Sequence, residues 1–308
     1  MGKYPLLKQL LLEQRLLRPE DLIEPSPLER ATLELVHTPA YLDKLESGSL
    51  SAAEVRRLGI PWSAALWRRS RLACAGTLLA ARHALAEGIA GNLAGGTHHA
   101  FHDHAEGFCV LNDIAIAVRR LLLEGAIRRA VVIDLDVHQG NGTASIFEHD
   151  NRVFTFSMHG ERNYPADKMR SSLDVGIRDG ATDQDYLKLL ASHLPRVLES
   201  SDPDLAFYLA GVDVAAGDRY GKLALTAGGV SARDRYVIEA VRGKGVPLAV
   251  VLGGGYAPDT MQTARLHALV FREAADFQRL ASQRPASQRL ASQRPASENA
   301  DIKTGSIR

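Results

Sequence analysis

Cysteine is nearly absent: Cys74 and Cys109 are the two in 308 residues. One bridge is arithmetically available but a disulfide framework is not, so a reduced, cytoplasmic setting is expected. No run of about 18 apolar residues occurs, so no membrane-spanning helix is expected. The opening MGKYPLLKQLLLEQRLL is interrupted by Lys8, Glu13 and Arg15, which leaves no secretory apolar core. Leu6 stands where a myristoylation signal needs Ser or Thr. A charge excess is missing too, with 37 Lys/Arg against 36 Asp/Glu. Residues 278–308 hold six of the basic and two of the acidic groups, leaving 31 against 34 elsewhere. A slightly acidic body argues against a nucleic-acid partner. Aromatics are only 6%, yet 45% hydrophobic residues suffice for a sizeable core.

What is present is an alternating pattern. The first ~90 residues read as mostly helical, with helix starts at Pro19 and at Ser51, where Glu54 completes a capping box. Residues 67–86 are an Ala- and Leu-rich helix stopped by Gly88 and Gly91. Short apolar runs follow at 130–136, 153–157, 205–210 and 247–252. Near-continuous runs of this length read as buried strands of a parallel sheet. Helical segments at 108–124, 183–198 and 231–242 separate them, the second behind Thr182 as N-cap. The class is therefore α/β in one domain, 1–275, with ligands expected beyond the carboxyl ends of the strands. Residues 278–297 repeat QRLAS and QRPAS, and 276–308 is expected to be a disordered tail, because so few apolar groups cannot offset ordering entropy.

The strand ends carry the chemistry. IDLDVHQGNG puts Asp134, Asp136 and His138 on one face of an extended chain. Such groups at the mouth of an apolar strand are costly to bury unpaired, which a divalent metal or a self-satisfied Asp–His pair would remedy. AGVDVAAGD adds Asp213, a ligand or a helix cap. LGGGY adds Tyr256, a rim donor or a buried tyrosine. GGTHHAFHDHAEGFC holds four of the 11 histidines. Adjacent His98 and His99 suit an irregular loop, either a polar surface segment or one aiming two imidazoles at one place. Jointly the signals favour a hydrolase. One His and two carboxylates with an open position make a catalytic zinc arrangement. His98 and His99 would be the proton-transfer groups and Tyr256 the oxyanion donor.

GGTHHA, GFCVLNDIAIA, IDLDVHQGNGT, AGVDVAAGD and LGGGY, in this order over about residues 3–272, resemble the histone deacetylase family, most closely its bacterial, class IV-like members. The resemblance implies the arginase–deacetylase fold and zinc-dependent hydrolysis of an N-acetyl amide, with Fe(II) a chemically compatible alternative. It implies Asp136, His138 and Asp213 as zinc ligands, His99 as general base and acid, and His98 as the second dyad member oriented by Asp134. Asn141 falls where some classes have an Asp behind His99, and a neutral amide there should leave His99 less basic. Tyr256 matches the carbonyl-polarising residue. Gly107, Phe108 and Tyr164 match the walls of an acyl-lysine tunnel. Asp134, Asp136, His138, Ser157 and Met158 match a structural K+ or Na+ site. His102 and His104 are expected at the rim. His159 has no fixed role beyond orienting the Tyr164 loop, and Cys109 is not read as a nucleophile. Family members usually have an N-terminal strand and loop ahead of the Lys-Tyr-Pro that here begins at Lys3, so the resemblance leaves that edge strand without a counterpart. The expected substrate is an acylated lysine or polyamine. A silent acyl-lysine-binding module would lack Tyr256, His99 or a zinc ligand, and an arginase-like dimanganese centre would need more Asp and His ligands.

Overall fold

Strands form where apolar residues are covered on both faces. The computed structural model describes residues 2–283. Its strands are β1 (Ile89–Gly91), β2 (Ala130–Asp134), β3 (Val153–Gly160), β4 (Leu173–Ile177), β5 (Leu205–Leu209) and β6 (Leu248–Val251). Among the described residues they make one sheet, in the order β1-β6-β5-β2-β3-β4, with every neighbour parallel. Alternate residues of β2 enter opposite cores. Val131 and Ile133 pack with Tyr208, Leu190 and Val237 on one side, whereas Ala130 and Val132 pack with Phe207, Leu78 and Val118 on the other.

Helices cover both faces. α5 (Ala64–Glu87) and α6 (Asp113–Leu123) lie on one, and α8 (Asp183–Ser201), α9 (Ala227–Gly243) and α10 (Thr260–Gln283) on the other. α1 (Lys3–Glu13) buries Leu7 and Leu11 against Ala264 and Ala268 of α10. α2 (Arg30–Leu33), α3 (Pro39–Ser47) and α4 (Ala52–Leu58) close a smaller core beside α5. α7 (Asn141–Phe147) follows β2. The capping box at Ser51 is present, with Ser51 N–H donating to Glu54 at 2.7 Å. Pro19 starts only a single 3-10 turn, since Pro25 and Pro27 hold the following chain outside a helix.

Two strands were not expected. β1 is three residues long, and β4 is an edge strand that alternates exposed and buried positions. The expected helix at 108–124 begins only at Asp113, behind Asn112, whose side chain caps Ala115 N–H. The tail boundary also moves. α10 continues to Gln283, so residues 276–283 are helical rather than disordered. Ala, Leu, Gln and Arg are good helix formers, and Phe277 anchors the segment on the core. The rest of the expected tail, 284–308, lies outside the described residues.

The chain runs from β2 outward through β3 to β4, then returns to β5 and continues the other way to β6. The switch of direction falls between β2 and β5, where the loops after both strands diverge and leave a crevice. Arg233, fully buried on α9, ties these loops together. Its Nη1 donates to Leu135 O at 3.2 Å and to Gly211 O at 2.6 Å, while Nε and Nη2 donate to Asp234 at 3.0 and 2.8 Å. Removing one member of a buried pair strands the other, at a cost of about 3–5 kcal/mol. Arg233→Met is therefore expected to lower urea-unfolding stability by about that amount. Arg233→Met/Asp234→Asn, which removes the charge but keeps an acceptor for Tyr208, should recover much of it. Equal losses in the two variants would contradict this account.

Candidate active site

β2 ends at Asp134, and its carboxylate and that of Asp136 satisfy the backbone of the next turn. Asp136 N–H donates to Asp134 at 3.2 Å and His138 N–H to Asp136 at 3.0 Å. Val137 N–H reaches across the crevice to Asp213 at 3.0 Å. Behind β6, Gly254 N–H donates to Asp136 Oδ2 at 2.7 Å. A Cβ at Gly254 would overlap the Asp213 carboxylate, so the glycines of LGGGY allow the backbone to approach the acids themselves.

One potential ligand atom from each of Asp136, His138 and Asp213 lies within 4.8 Å of the others, and all three residues are buried. Asp213 Oδ2 is buried 3.1 Å from His138 Nδ1, with no well-directed hydrogen bond. Two carboxylates, one imidazole and an under-satisfied buried oxygen fit a divalent cation. Without one, burial and the Asp136 charge push Asp213 up to about 6. Burial opposes charge on His138, but its contact with Asp136 and the charges of Asp213 and Asp136 raise it to about 10.

The histidine loop is pinned from below. Asp113, the first residue of α6, accepts from Gly96 N–H at 3.0 Å and Thr97 N–H at 2.7 Å, and Thr143 N–H donates to His98 O at 3.0 Å. His98 and His99 are both buried, with ring centroids 4.2 Å apart. His98 Nδ1 lies 2.7 Å from Asp134. Burial disfavours its charge, yet Asp134 and Asp136 hold its pKa up at about 9. Burial, then the charge of His98, pushes His99 well below its ordinary value.

His99 Nδ1 lies 2.6 Å from Asn141 Oδ1, and Asn141 Nδ2 donates to Glu106 at 2.8 Å. A carboxylate only accepts, so Glu106 fixes the Asn141 amide and makes its oxygen the partner of His99. His99 Nδ1 then carries the proton and Nε2 is free to take another. Tyr164 donates its hydroxyl to the same Glu106 oxygen at 2.5 Å.

Glu106 and Cys109 bracket a tight turn, with φ +52° at Gly107 and +67° at Phe108. Two positive φ values make a type I′ geometry, costly for a phenylalanine. The turn lays Gly107 against His99, where a Cβ would sit 2.5 Å from the ring, and sends Phe108 outward. Phe108, Tyr164, Tyr220 and Tyr256 wall a cavity of about 340 Å³ with His99 and His138 in its lining. Tyr220 packs edge-on to Tyr256 at 5.0 Å. Tyr256 N–H is held by Asp218 at 2.6 Å. Buried Lys3 donates to Gly253 O at 2.8 Å and lies 5.6 Å from the Tyr256 ring, which ties α1 to this loop.

The remaining residues sit apart. Ser157 pairs in register with Asp134 and contacts His159 at 2.9 Å, and Met158 is buried in the core. His159 is thus engaged with Ser157. His102 is exposed, and half-buried His104 contacts Asp103 at 2.6 Å. Both cysteines are free and buried, and burial pushes both thiols up, against a nucleophilic role. Sequence reasoning missed Glu106, Tyr220 and the cations at the cavity mouth. The AEGF and GDRYG stretches beside known motifs were the available signal.

A family model described as the histone deacetylase domain matches residues 1–271. The chain belongs to the histone deacetylase family. An uncharacterized protein of Picosynechococcus is 48% identical over 276 residues, covering 90% of this chain and 92% of that one. Histone deacetylase 2 of Arabidopsis thaliana is 32% identical over 264 residues, covering 83% of this chain and 68% of the relative. A crystal structure of an HDAC homolog complexed with SAHA superposes with a TM-score of 0.74 at 27% identity, covering 88% of this chain and 77% of that one. The fold is therefore the arginase–deacetylase fold, and the family assigns the chain to amide-cleaving hydrolases. No helix among the described residues is long and apolar enough to cross a membrane.

The nearby His104 imidazole and hydrogen bonds from Tyr164 and Asn141 outweigh burial and hold Glu106 at about 2, below its ordinary value. A depressed carboxylate stabilises the fold above its unfolded pKa and loses that contribution as pH falls toward the folded value. Thermal unfolding followed from pH 6 down to about 3 should therefore fall less steeply in Glu106→Gln than in the parent. Parallel curves would remove the charge from this network.

Proposed function

We propose that the chain is a zinc-dependent deacetylase that hydrolyses the amide of N-acetyl-lysine, or of a similar acylated amine, to the free amine and acetate. The observation that carries this reading is a convergence. The buried Asp136, His138 and Asp213 cluster, the His98–His99 pair and Tyr256 meet around one aromatic-walled cavity. Flat aromatic walls suit an alkyl stem, and the polar groups at the floor suit its amide.

Asp136, His138 and Asp213 would hold the zinc ion, which supplies Lewis acidity to a carbonyl and lowers the pKa of water. His99 takes the water proton at Nε2, since Nδ1 is committed to Asn141. Tyr256 donates its hydroxyl to the carbonyl oxygen as negative charge develops there; burial and the nearby Asp213 and Asp136 keep that hydroxyl protonated. The C–O bond forms first, as the carbonyl oxygen gains charge; the C–N bond breaks next, as His99 returns its proton to the departing amine. His98, charged against Asp134, keeps His99 a strong acid for that second step. Phe108 and Tyr164 hold the lysine stem, and Ser157 and Asp134 belong to the expected monovalent-cation site.

Purified protein should release acetate from an acetyl-lysine peptide, lose activity to a chelator and regain it with zinc. His99→Ala is expected to lower kcat by about 10²–10⁴-fold and Tyr256→Phe by about 10²–10³-fold. A folded, zinc-loaded protein inert on acetyl-lysine, longer acyl-lysines and acetylpolyamines would overturn the enzymatic reading in favour of a binding module.

A further inference from the structure

The aromatic walls of the cavity are neutral around the stem, but its mouth is not. Arg57, Arg162 and Lys222 line it, all three exposed, and no carboxylate belongs to the same lining. Arg57 sits in the last turn of α4, where Leu58 O accepts from Phe108 N–H at 2.8 Å. That bond fixes the cation beside the tunnel wall. Lys222 Nζ donates to the backbone carbonyl of Arg162 at 2.7 Å, which fixes the ammonium on the loop that carries Arg162. Arg162 alone has a carboxylate partner, Asp179 at 2.9 Å, on an exposed pair that solvent screens.

The acids close by are turned to other work. Glu106 faces inward onto Asn141 and Tyr164. The Asp218 carboxylate is taken up by the N–H groups of Tyr220, Gly221 and Tyr256. The side chains that an approaching substrate meets in the lining of the mouth are therefore cationic, with the nearby carboxylates set back from it. The residues flanking an inserted lysine cross this mouth within a Debye length of about 10 Å.

We infer that the physiological substrate is an acylated lysine in an acidic peptide context, and that polycationic acylpolyamines and basic peptide tails are disfavoured. The inference rests on the deacetylase reading above and narrows it. Like charges brought together at the mouth slow encounter and weaken docking, whereas complementary ones steer it.

The test uses acetyl-lysine peptides of equal length flanked by Asp, by Ser or by Arg, together with an acetylpolyamine. At low ionic strength kcat/KM should favour the acidic over the basic peptide by about tenfold or more, with the acetylpolyamine lowest. The ratio should approach one in about 0.5 M salt and invert in Arg57→Glu/Lys222→Glu. Because the ratio is taken within each variant, a general loss of activity cancels. Fluorescence anisotropy of the same labelled peptides with His99→Ala gives a binding readout independent of turnover and should rank them alike. Cleavage of the Ser-flanked peptide with an acid-to-base ratio near one, or a ratio unmoved by the charge reversal, overturns the inference and leaves the deacetylase reading standing. Failure to cleave or bind any of the peptides removes both.

Discussion

Three carboxylates, Asp134, Asp136 and Asp213, are buried at the carboxyl ends of two otherwise apolar strands, and the structure around them is what makes that tolerable. An isolated buried carboxylate costs many kcal/mol or takes up a proton. Here each is met by backbone N–H groups from its own loop, from the crossing loop or from the glycine run, and by an imidazole. Those N–H groups converge because the sheet reverses its direction of growth between β2 and β5. The glycines after β6 are needed because a side chain there would occupy the carboxylates' space. Arg233 then fixes the two loops from beneath through their carbonyls. The acids that make the site hard to fold are also the groups that make it chemically capable.

Electrostatics within the site divide the two histidines, which are adjacent in sequence and chemically alike. His98 faces Asp134 and Asp136 and is held charged. His99 faces His98 and a neutral amide and is held neutral. A pair pushed apart in this way supplies an acid-strengthening neighbour and a free base in one loop. The sequence reading made a neutral Asn141 the reason for a less basic His99, but the depression comes from burial and the His98 charge, and the Asn141 bond works against it. What it omitted is the charged Glu106 behind the amide, which selects the tautomer without placing a full charge on the ring.

The legible parts of the fold are those whose signal is local. β2, β3, β5 and β6 are continuous apolar runs, and α8 shows its Thr182–Asp185 cap directly. β1 and β4 are hidden, one because it is three residues long, the other because an edge strand is half exposed and its apolar content is low. The helix expected from residue 108 fails for a reason of turn chemistry, since Gly107 and Phe108 both take positive φ and helix can begin only past them. In the site, strand alternation grouped Asp134, Asp136 and His138, although β2 ends at Asp134 and the other two stand on the turn that follows it. Glu106, Tyr220 and the mouth cations could not, because separate loops bring them together and no periodicity connects them.

The turn at 106–109 shows how one costly local choice can serve several ends. A residue in the left-handed region costs a phenylalanine about 1–2 kcal/mol, and an ordinary turn would spare it. Reversing the chain in two residues puts Glu106 on the inner side, where it reaches Asn141 and Tyr164, and Phe108 on the outer side, where it faces Tyr256 at 6.0 Å. Gly107 between them presses on the His99 ring, so the imidazole is confined by the turn as well as by Asn141. Tyr164 is bound to the same carboxylate, which makes the opposite cavity wall and His99 share one anchor. A displacement of this turn would therefore disturb cavity width and His99 orientation together, and under the proposed deacetylase reading a stem that fits the walls would meet a base already in place.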